Sequence, residues 1–319
     1  MSGLRPRESL VRVTAPAKVN LALSVGPRRA DGYHEIDTLL QAIDLADELE
    51  ARRTSGGEGI GLAVEGEDTG LDGDNLVVLA ARAFLDAAGL GRDAPGLSFH
   101  LTKRIPVGAG LGGGSSDAAA ALRALDRLFP AALSRARLSH LAARLGSDVP
   151  FFLCASPLAR ARGRGERLEA LPTLPPRSGV VVMPPAGMPT ALAYSRLEQQ
   201  RSQAGEGATP APDGAEGPLE GTALGAWPVD WEEVAAGAMN DFQETVVREV
   251  PLVRECLDAL GRTGPELALL SGSGAASFAI YRSEEEAAEA GKRLAAALDA
   301  RVFRVRTLSA WHGRATLEP

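Results

Sequence analysis

The sequence predicts an α+β protein in two domains. The chain has 319 residues, more than one compact core usually holds. A long period-two run near its start reads as strand, and segments with strand and helix periods then mix in both halves. A stretch poor in large apolar residues, 201–227, interrupts the second half. The expected division is 1–160 and 161–319, with 201–227 as a mobile insertion in the second domain, because too little surface is available there to offset ordering.

In "VRVTAPAKVNLALSV", Val11, Val13, Ala15, Ala17, Val19, Leu21, Leu23 and Val25 alternate with mostly polar residues, so a half-buried strand is expected with Lys18 and Asn20 on its other face. "IDTLLQAIDLADELEAR" reads as further strand, and "DNLVVLAARAFLDAAGL" as a helix with Asp74 or Asn75 near its start. "GLSFHLTKRIPVG" is a strand leading into a glycine-rich loop. A helix with a serine cap is expected over 115–129. Leu138, Leu141, Ala142 and Leu145 stand at helical spacing, Gly146 is the expected stop, and Asp148 follows in a turn held by Pro150. "ELALLSGSGAASFAIY" reads as strand, glycine turn, strand. "SEEEAAEAGKRLAAALDA" opens with a capping box from Ser283 to Glu286 and continues as a helix, and "RVFRVRTL" closes as a strand.

Composition narrows the function. Hydrophobic residues at 45% and charged residues at 24% suit a globular protein. A formal net charge of −7 and a pI near 5.3 disfavour general attraction to nucleic acid or to an anionic membrane. No run of apolar residues reaches spanning length, so a soluble, cytoplasmic protein is expected. Cys154 and Cys256 lie far apart and suit reduced thiols, and the four histidines show no metal-ligand spacing.

The loop "RIPVGAGLGGGSSDAAAALRALDRLF" carries the chemistry. Gly108, Gly110 and Gly113 formally satisfy G-x-G-x-x-G, yet Lys103, Arg104 and Pro106 sit where a buried parallel strand should be apolar, and the acidic residue expected about twenty positions on is missing. No G-x-x-x-x-G-K-[ST] occurs. What remains is a loop without β-carbons feeding a helix start, whose unpaired amides and partial positive charge hold a polyphosphate. The expected nucleotide cradle is Pro106, Val107, Gly108, Ala109, Gly110, Leu111, Gly112, Gly113, Gly114, Ser115 and Ser116, the two serine hydroxyls standing where one can cap the helix or reach a cation. A glycine turn that merely packs helix on strand is the competing reading.

"PVGAGLGGGSSDAAA" resembles the phosphate-binding motif of the GHMP kinases. "APAKVNLALSV" is similar to that family's first motif and "LLSGSGAASFAIY" to its third, in the family's order and across almost the whole chain apart from 201–227. The resemblance implies an N-terminal ribosomal-protein-S5-like domain, a C-terminal ferredoxin-like domain and an active site in the cleft between them. It implies a small-molecule kinase with ATP as co-substrate and Mg²⁺ neutralising the β- and γ-oxygens. "RADGYHEIDTLLQAIDL" and "GSDVPFFL" point within the family to a cytidine-diphosphate-linked methylerythritol as acceptor. Asp148 then matches the general base and Lys18 its catalytic partner, an ammonium that keeps the carboxylate ionised and offers charge to the moving phosphoryl group. Tyr33 and His34 match positions that contact the cytosine, Tyr194 completes the stack, and Asn20 faces the methylerythritol end. Asp74 and Asn75 fall on the adenosine side, while "GRGE" reads as a solvated hairpin. A kinase or decarboxylase of mevalonate-type or homoserine substrates, and a non-catalytic nucleotide-binding regulator, are the alternatives. "DGYH" stands against the first, and the presence of both Lys18 and Asp148 against the second.

Overall fold

The period-two run forms a single strand, β1 (Leu10–Arg28), paired antiparallel with β2 (His34–Thr54) along almost its whole length. In this computed structural model residues 10–29, 31–54, 59–67, 75–90, 95–203, 230–311 and 316–318 are described. The rest of the first half follows as β3 (Ile60–Gly66), α1 (Leu76–Ala87), β4 (Gly96–Lys103), α2 (Gly113–Leu128), α3 (Arg135–Leu145), α4 (Val149–Leu153), β5 (Leu158–Gly163) and β6 (Arg167–Ala170). The second half supplies β7 (Ser178–Met183), α5 (Thr190–Gln203), α6 (Trp231–Ala236), β8 (Met239–Asn240), α7 (Phe242–Glu249), α8 (Pro251–Gly261), β9 (Leu267–Leu270), β10 (Ser277–Tyr281), α9 (Glu284–Ala297), β11 (Arg301–Arg306) and β12 (Thr316–Glu318).

The larger sheet runs β12-β1-β2-β4-β3, with β5 and β6 continuing from β2 and β8 lying parallel to β1. β2 changes partner along its length, pairing β5 through Ile36–Gln41 and β4 through Glu48–Thr54. Irregular register at Pro16/Ala17 and Asn20/Ala22 breaks the strict alternation of β1. Both faces are consequently covered, and Lys18 and Asn20, expected on a solvated face, are 4% and 3% exposed. The division expected at 160/161 cuts through β5. The sheet extends to Ala170, so we place the division after β6, with β8 and β12 returning to the first sheet.

The second sheet, β11-β7-β10-β9, is antiparallel throughout. Alternation in β7 and β10 gives each a two-sided role: Val180, Val182, Ala279 and Tyr281 pack with Cys256, Leu260 and Leu294 of α8 and α9, whereas Val181, Phe278 and Ile280 pack toward Val19, Leu21 and Ile43 of the first sheet. The two sheets therefore share a core.

The capping box at Ser283 and Glu286 and the stop at Gly146 form as the sequence indicates. The serine cap on α2 does not: the cap position is Gly112, left-handed at φ 71°, and the helix already begins at Gly113. Of the expected insertion, residues 201–203 end α5 and the remainder lies outside the described residues, as does Asp74. Among the described residues no helix is long and apolar enough to cross a membrane.

Candidate active site

The glycine loop connects β4 to α2 and separates two cavities. The smaller, about 340 Å³, is walled by the loop from Pro106 to Ser115 together with Asn75, Leu76, Lys103 and Asp117. The larger, about 920 Å³, runs from Gly110 and Gly112 past Lys18 and Asp148 to Tyr33, His34 and Tyr194. Gly110, Gly112 and Ser115 line both. The smaller cavity thus faces the first amides of α2, which lack intrahelical partners and carry partial positive charge.

Glycine is required here for closeness as well as for bare amides. A β-carbon on Gly110, at φ 78°, would lie 2.1 Å from the Ser271 carbonyl oxygen, so the loop docks backbone to backbone on the β9–β10 turn. The Ser271 hydroxyl donates to Gly110 O at 3.0 Å and Ala276 N to Ala109 O at 3.1 Å. Gly112 leaves room for Lys18, whose Cγ a β-carbon would meet at 3.0 Å, and Lys18 N donates to Leu111 O at 2.9 Å. These two glycines therefore serve close packing, of the loop on the β9–β10 turn and on the Lys18 side chain.

Lys18 Nζ donates to Asn20 Oδ1 at 2.8 Å and stands 3.5 Å from Asp148 Oδ2. Asn20 Nδ2 donates to Thr38, whose hydroxyl donates to Ala22 O, so the ammonium is held by a chain of buried hydrogen bonds. Asp148 occupies the cap position of α4, with Pro150 in the first turn, and its side chain is 32% exposed toward the cavity. The pair is buried on one side and open on the other. Such a pair sets a carboxylate beside an ammonium in the wall of an open cavity, an arrangement suited to general acid–base chemistry.

At the far end His34 stacks on Tyr194 with centroids 5.0 Å apart, and Tyr194 meets Phe242 edge to face at 4.8 Å. His34 Nδ1 lies 3.0 Å from Gly26 O and Nε2 2.9 Å from Glu198 Oε1. Burial, aided by Asp148, pushes the Tyr194 hydroxyl up to about 12. Tyr33 stands apart from that stack, 53% exposed, with the Arg164 guanidinium 4.9 Å over its ring.

The structure thus brings Lys18, Asn20, Tyr33, His34, Asp148 and Tyr194 to one cavity and the loop from Pro106 to Ser115 to the other. Ser116 lines neither, being 1% exposed with its hydroxyl unpartnered. Asn75 caps α1, accepting from Val77 N at 2.9 Å, and lines the smaller cavity. Sequence reasoning missed Arg164 and Glu198, and it set aside "GRGE" as a solvated hairpin. The hairpin is there, but its Arg164 faces the cavity. It also missed the buried group of Asp47, Lys103 and Asp117. The signal was available, since a lysine ending an apolar strand needs a buried counter-charge. Among the described residues no three His, Cys, Asp or Glu gather as metal ligands.

Comparison with known proteins shows the family and the fold. Residues 75–156 match the family model of the GHMP kinases N terminal domain, and residues 229–300 that of the GHMP kinases C terminal domain. A 4-diphosphocytidyl-2-C-methyl-D-erythritol kinase of Chlorobaculum tepidum is 39% identical over 89% of this chain and 93% of its own. One of Solidesulfovibrio magneticus is 45% identical over 85% and 88%. A crystal structure of 4-(cytidine 5'-diphospho)-2C-methyl-D-erythritol kinase superposes with a TM-score of 0.70 at 38% identity, covering 93% of this chain and 98% of that one. A mevalonate kinase from L. major shares the fold, with a TM-score of 0.71 at 16% identity.

Proposed function

This chain belongs to the 4-diphosphocytidyl-2-C-methyl-D-erythritol kinases, a branch of the GHMP kinases, and on that premise we propose that its two cavities hold the two substrates of one phosphoryl transfer. It is a small-molecule kinase with ATP as co-substrate. It moves the γ-phosphoryl group to the 2-hydroxyl of 4-diphosphocytidyl-2-C-methyl-D-erythritol, giving the 2-phosphate and ADP, in mevalonate-independent isoprenoid precursor synthesis.

The observation that carries the mechanism is the Lys18–Asp148 pair, 3.5 Å apart in the larger cavity, whose wall at Gly110, Gly112 and Ser115 is shared with the smaller one. The triphosphate lies against the loop and the amides that open α2, with its terminal group toward Lys18. The acceptor oxygen forms a bond to the γ-phosphorus as the bond to the ADP oxygen breaks, and the hydroxyl proton passes to Asp148. Lys18 stands beside Asp148 and meets the charge on the transferring oxygens. A general base contributes about 10²–10⁴ in rate, so alignment and electrostatics supply most of the acceleration. Mg²⁺, when bound to the nucleotide, neutralises phosphate charge. Among the described residues no three His, Cys, Asp or Glu gather around the ion, so it is expected to enter on the triphosphate.

The cytosine is held at the far end by the Tyr194–His34 stack, with Tyr33 and Arg164 lining the same cavity. Mevalonate or homoserine offers nothing for these rings to grip. A coupled ADP-release assay on the cytidylylated substrate, free methylerythritol, mevalonate and homoserine tests the reading. Turnover of the first alone is expected, and comparable turnover of an uncytidylylated alcohol overturns it.

A further inference from the structure

The smaller cavity has three charged groups in and beneath its wall that the transfer scheme does not use. Lys103 at the end of β4, Asp47 on β2 and Asp117 in α2 are 4%, 0% and 3% exposed. Lys103 Nζ donates to Asp47 and, at 2.8 Å, to Asp117 Oδ2. Asp47 also accepts from Arg104 N at 2.6 Å and Ile105 N at 2.9 Å. Asp117 has no comparable support, since its Oδ1 is buried without a partner. Two carboxylates around one ammonium leave a buried negative charge, a costly arrangement unless a proton neutralises it. Asp47 accepts from three donors. Asp117, with one, is where the proton is least costly. Burial pushes Asp117 up to about 7 against the pull of Lys103.

Lys103 and Asp117 both line the cavity that the glycine loop surrounds. A polyphosphate there adds negative charge beside Asp117 and favours its neutral form. We infer that nucleotide binding in the glycine-loop cavity is coupled to proton uptake by Asp117, leaving Lys103 and Asp47 as a neutral pair beneath the nucleotide. The inference rests on the kinase reading only in requiring that a nucleotide enters this cavity. Lys103 from β4 and Asp47 from β2 are the charges that act on Asp117. From α1 the wall is Asn75 and Leu76, no charged residue of α3 lines either cavity, and Lys18 of β1 and Asp148 before α4 line the larger one.

Linkage is reciprocal, so a nucleotide that draws a proton onto Asp117 binds more weakly as pH rises. Isothermal titration of the full chain with a non-hydrolysable ATP analogue and Mg²⁺, in buffers of different ionisation enthalpy at about pH 6 and about pH 8, reads this directly. At the higher pH the wild type is expected to take up most of one proton and to bind several-fold more weakly. Asp117→Asn retains an acceptor for Lys103 and is expected to show only the pH dependence that the analogue itself brings, with that uptake gone. The analogue's own titration is common to both proteins. Wild-type binding without proton uptake overturns the inference whether or not the variant folds, and equal uptake in both proteins overturns it too. Loss of affinity in the variant only when Mg²⁺ is present makes Asp117 a cation ligand and likewise overturns it. A protonated-carboxyl infrared band that grows when the analogue is added to the wild type is a second expected readout, and its absence counts against the proposal. No binding at any pH defeats the kinase reading as well, whereas binding without uptake defeats this inference alone.

Discussion

Lys18 Nζ lies 3.5 Å from Asp148 Oδ2, although the two residues come from a sheet strand and from the cap of a short helix 130 positions later. Neither position alone suggests chemistry. Their meeting beside a glycine loop does. Removing either charge is expected to lower kcat by about 10²–10⁴, with ATP affinity in Asp148→Asn close to that of the wild type. Steady-state kinetics paired with nucleotide titration checks this.

Asn20 is expected to act through Lys18. Asn20→Leu removes the acceptor at 2.8 Å and leaves a buried ammonium short of a partner. A kcat loss of about tenfold or more is expected, together with roughly 1–3 kcal/mol of destabilisation. Asn20→Asp, which keeps an acceptor, is expected to fold closer to wild type.

Two glycines of one loop are expected to differ. Gly110→Ala places its β-carbon against Ser271 O and separates the loop from the β9–β10 turn, whereas Gly108 has nothing within 4 Å of the same atom. Both have φ near +70 to +80° and share about 1 kcal/mol of backbone cost. Thermal melts and nucleotide titration are expected to show Gly110→Ala clearly worse on both measures.

At the base end, His34→Ala and Tyr194→Ala are expected to raise KM for the cytidylylated substrate about two- to tenfold, through the loss of roughly 0.5–1.5 kcal/mol of stacking, while KM for ATP changes little. Tyr194→Phe, which keeps the ring, is expected to stay near wild type. Equal effects on both KM values would mean that the cavity has collapsed.

Asp117 also sets a direction for stability. Its folded value, about 7, lies above the ordinary 3.8 of an aspartate, so between those values the folded state holds a proton that the unfolded chain has released. Stability from this group is present at low pH and is lost as pH rises between those two values. Asp117→Asn removes the loss, so its melting temperature relative to wild type is expected to rise from acid toward about pH 8. Melts across that range check the sign.

The element order and much of the site were legible because they rest on local signals. The alternation of β1, the capping box at Ser283 and the stop at Gly146 each follow from neighbours in sequence. The glycine loop was legible as a cradle but not as a docking surface, since Ser271 approaches Gly110 from 161 positions away. The same limit hid Glu198 behind His34 and hid Lys103 between Asp47 and Asp117. Burial of Lys18 was missed for a related reason: a polar alternate position in a strand reads as solvated until a second layer covers it.

The most direct measurement of the central claim is a single-turnover experiment with ATP and the cytidylylated substrate pre-bound, comparing wild type with Asp148→Asn. With binding and product release removed from the rate, the account predicts a transfer step slowed by about 10²-fold or more in the variant. Transfer at the wild-type rate without the carboxylate would contradict it.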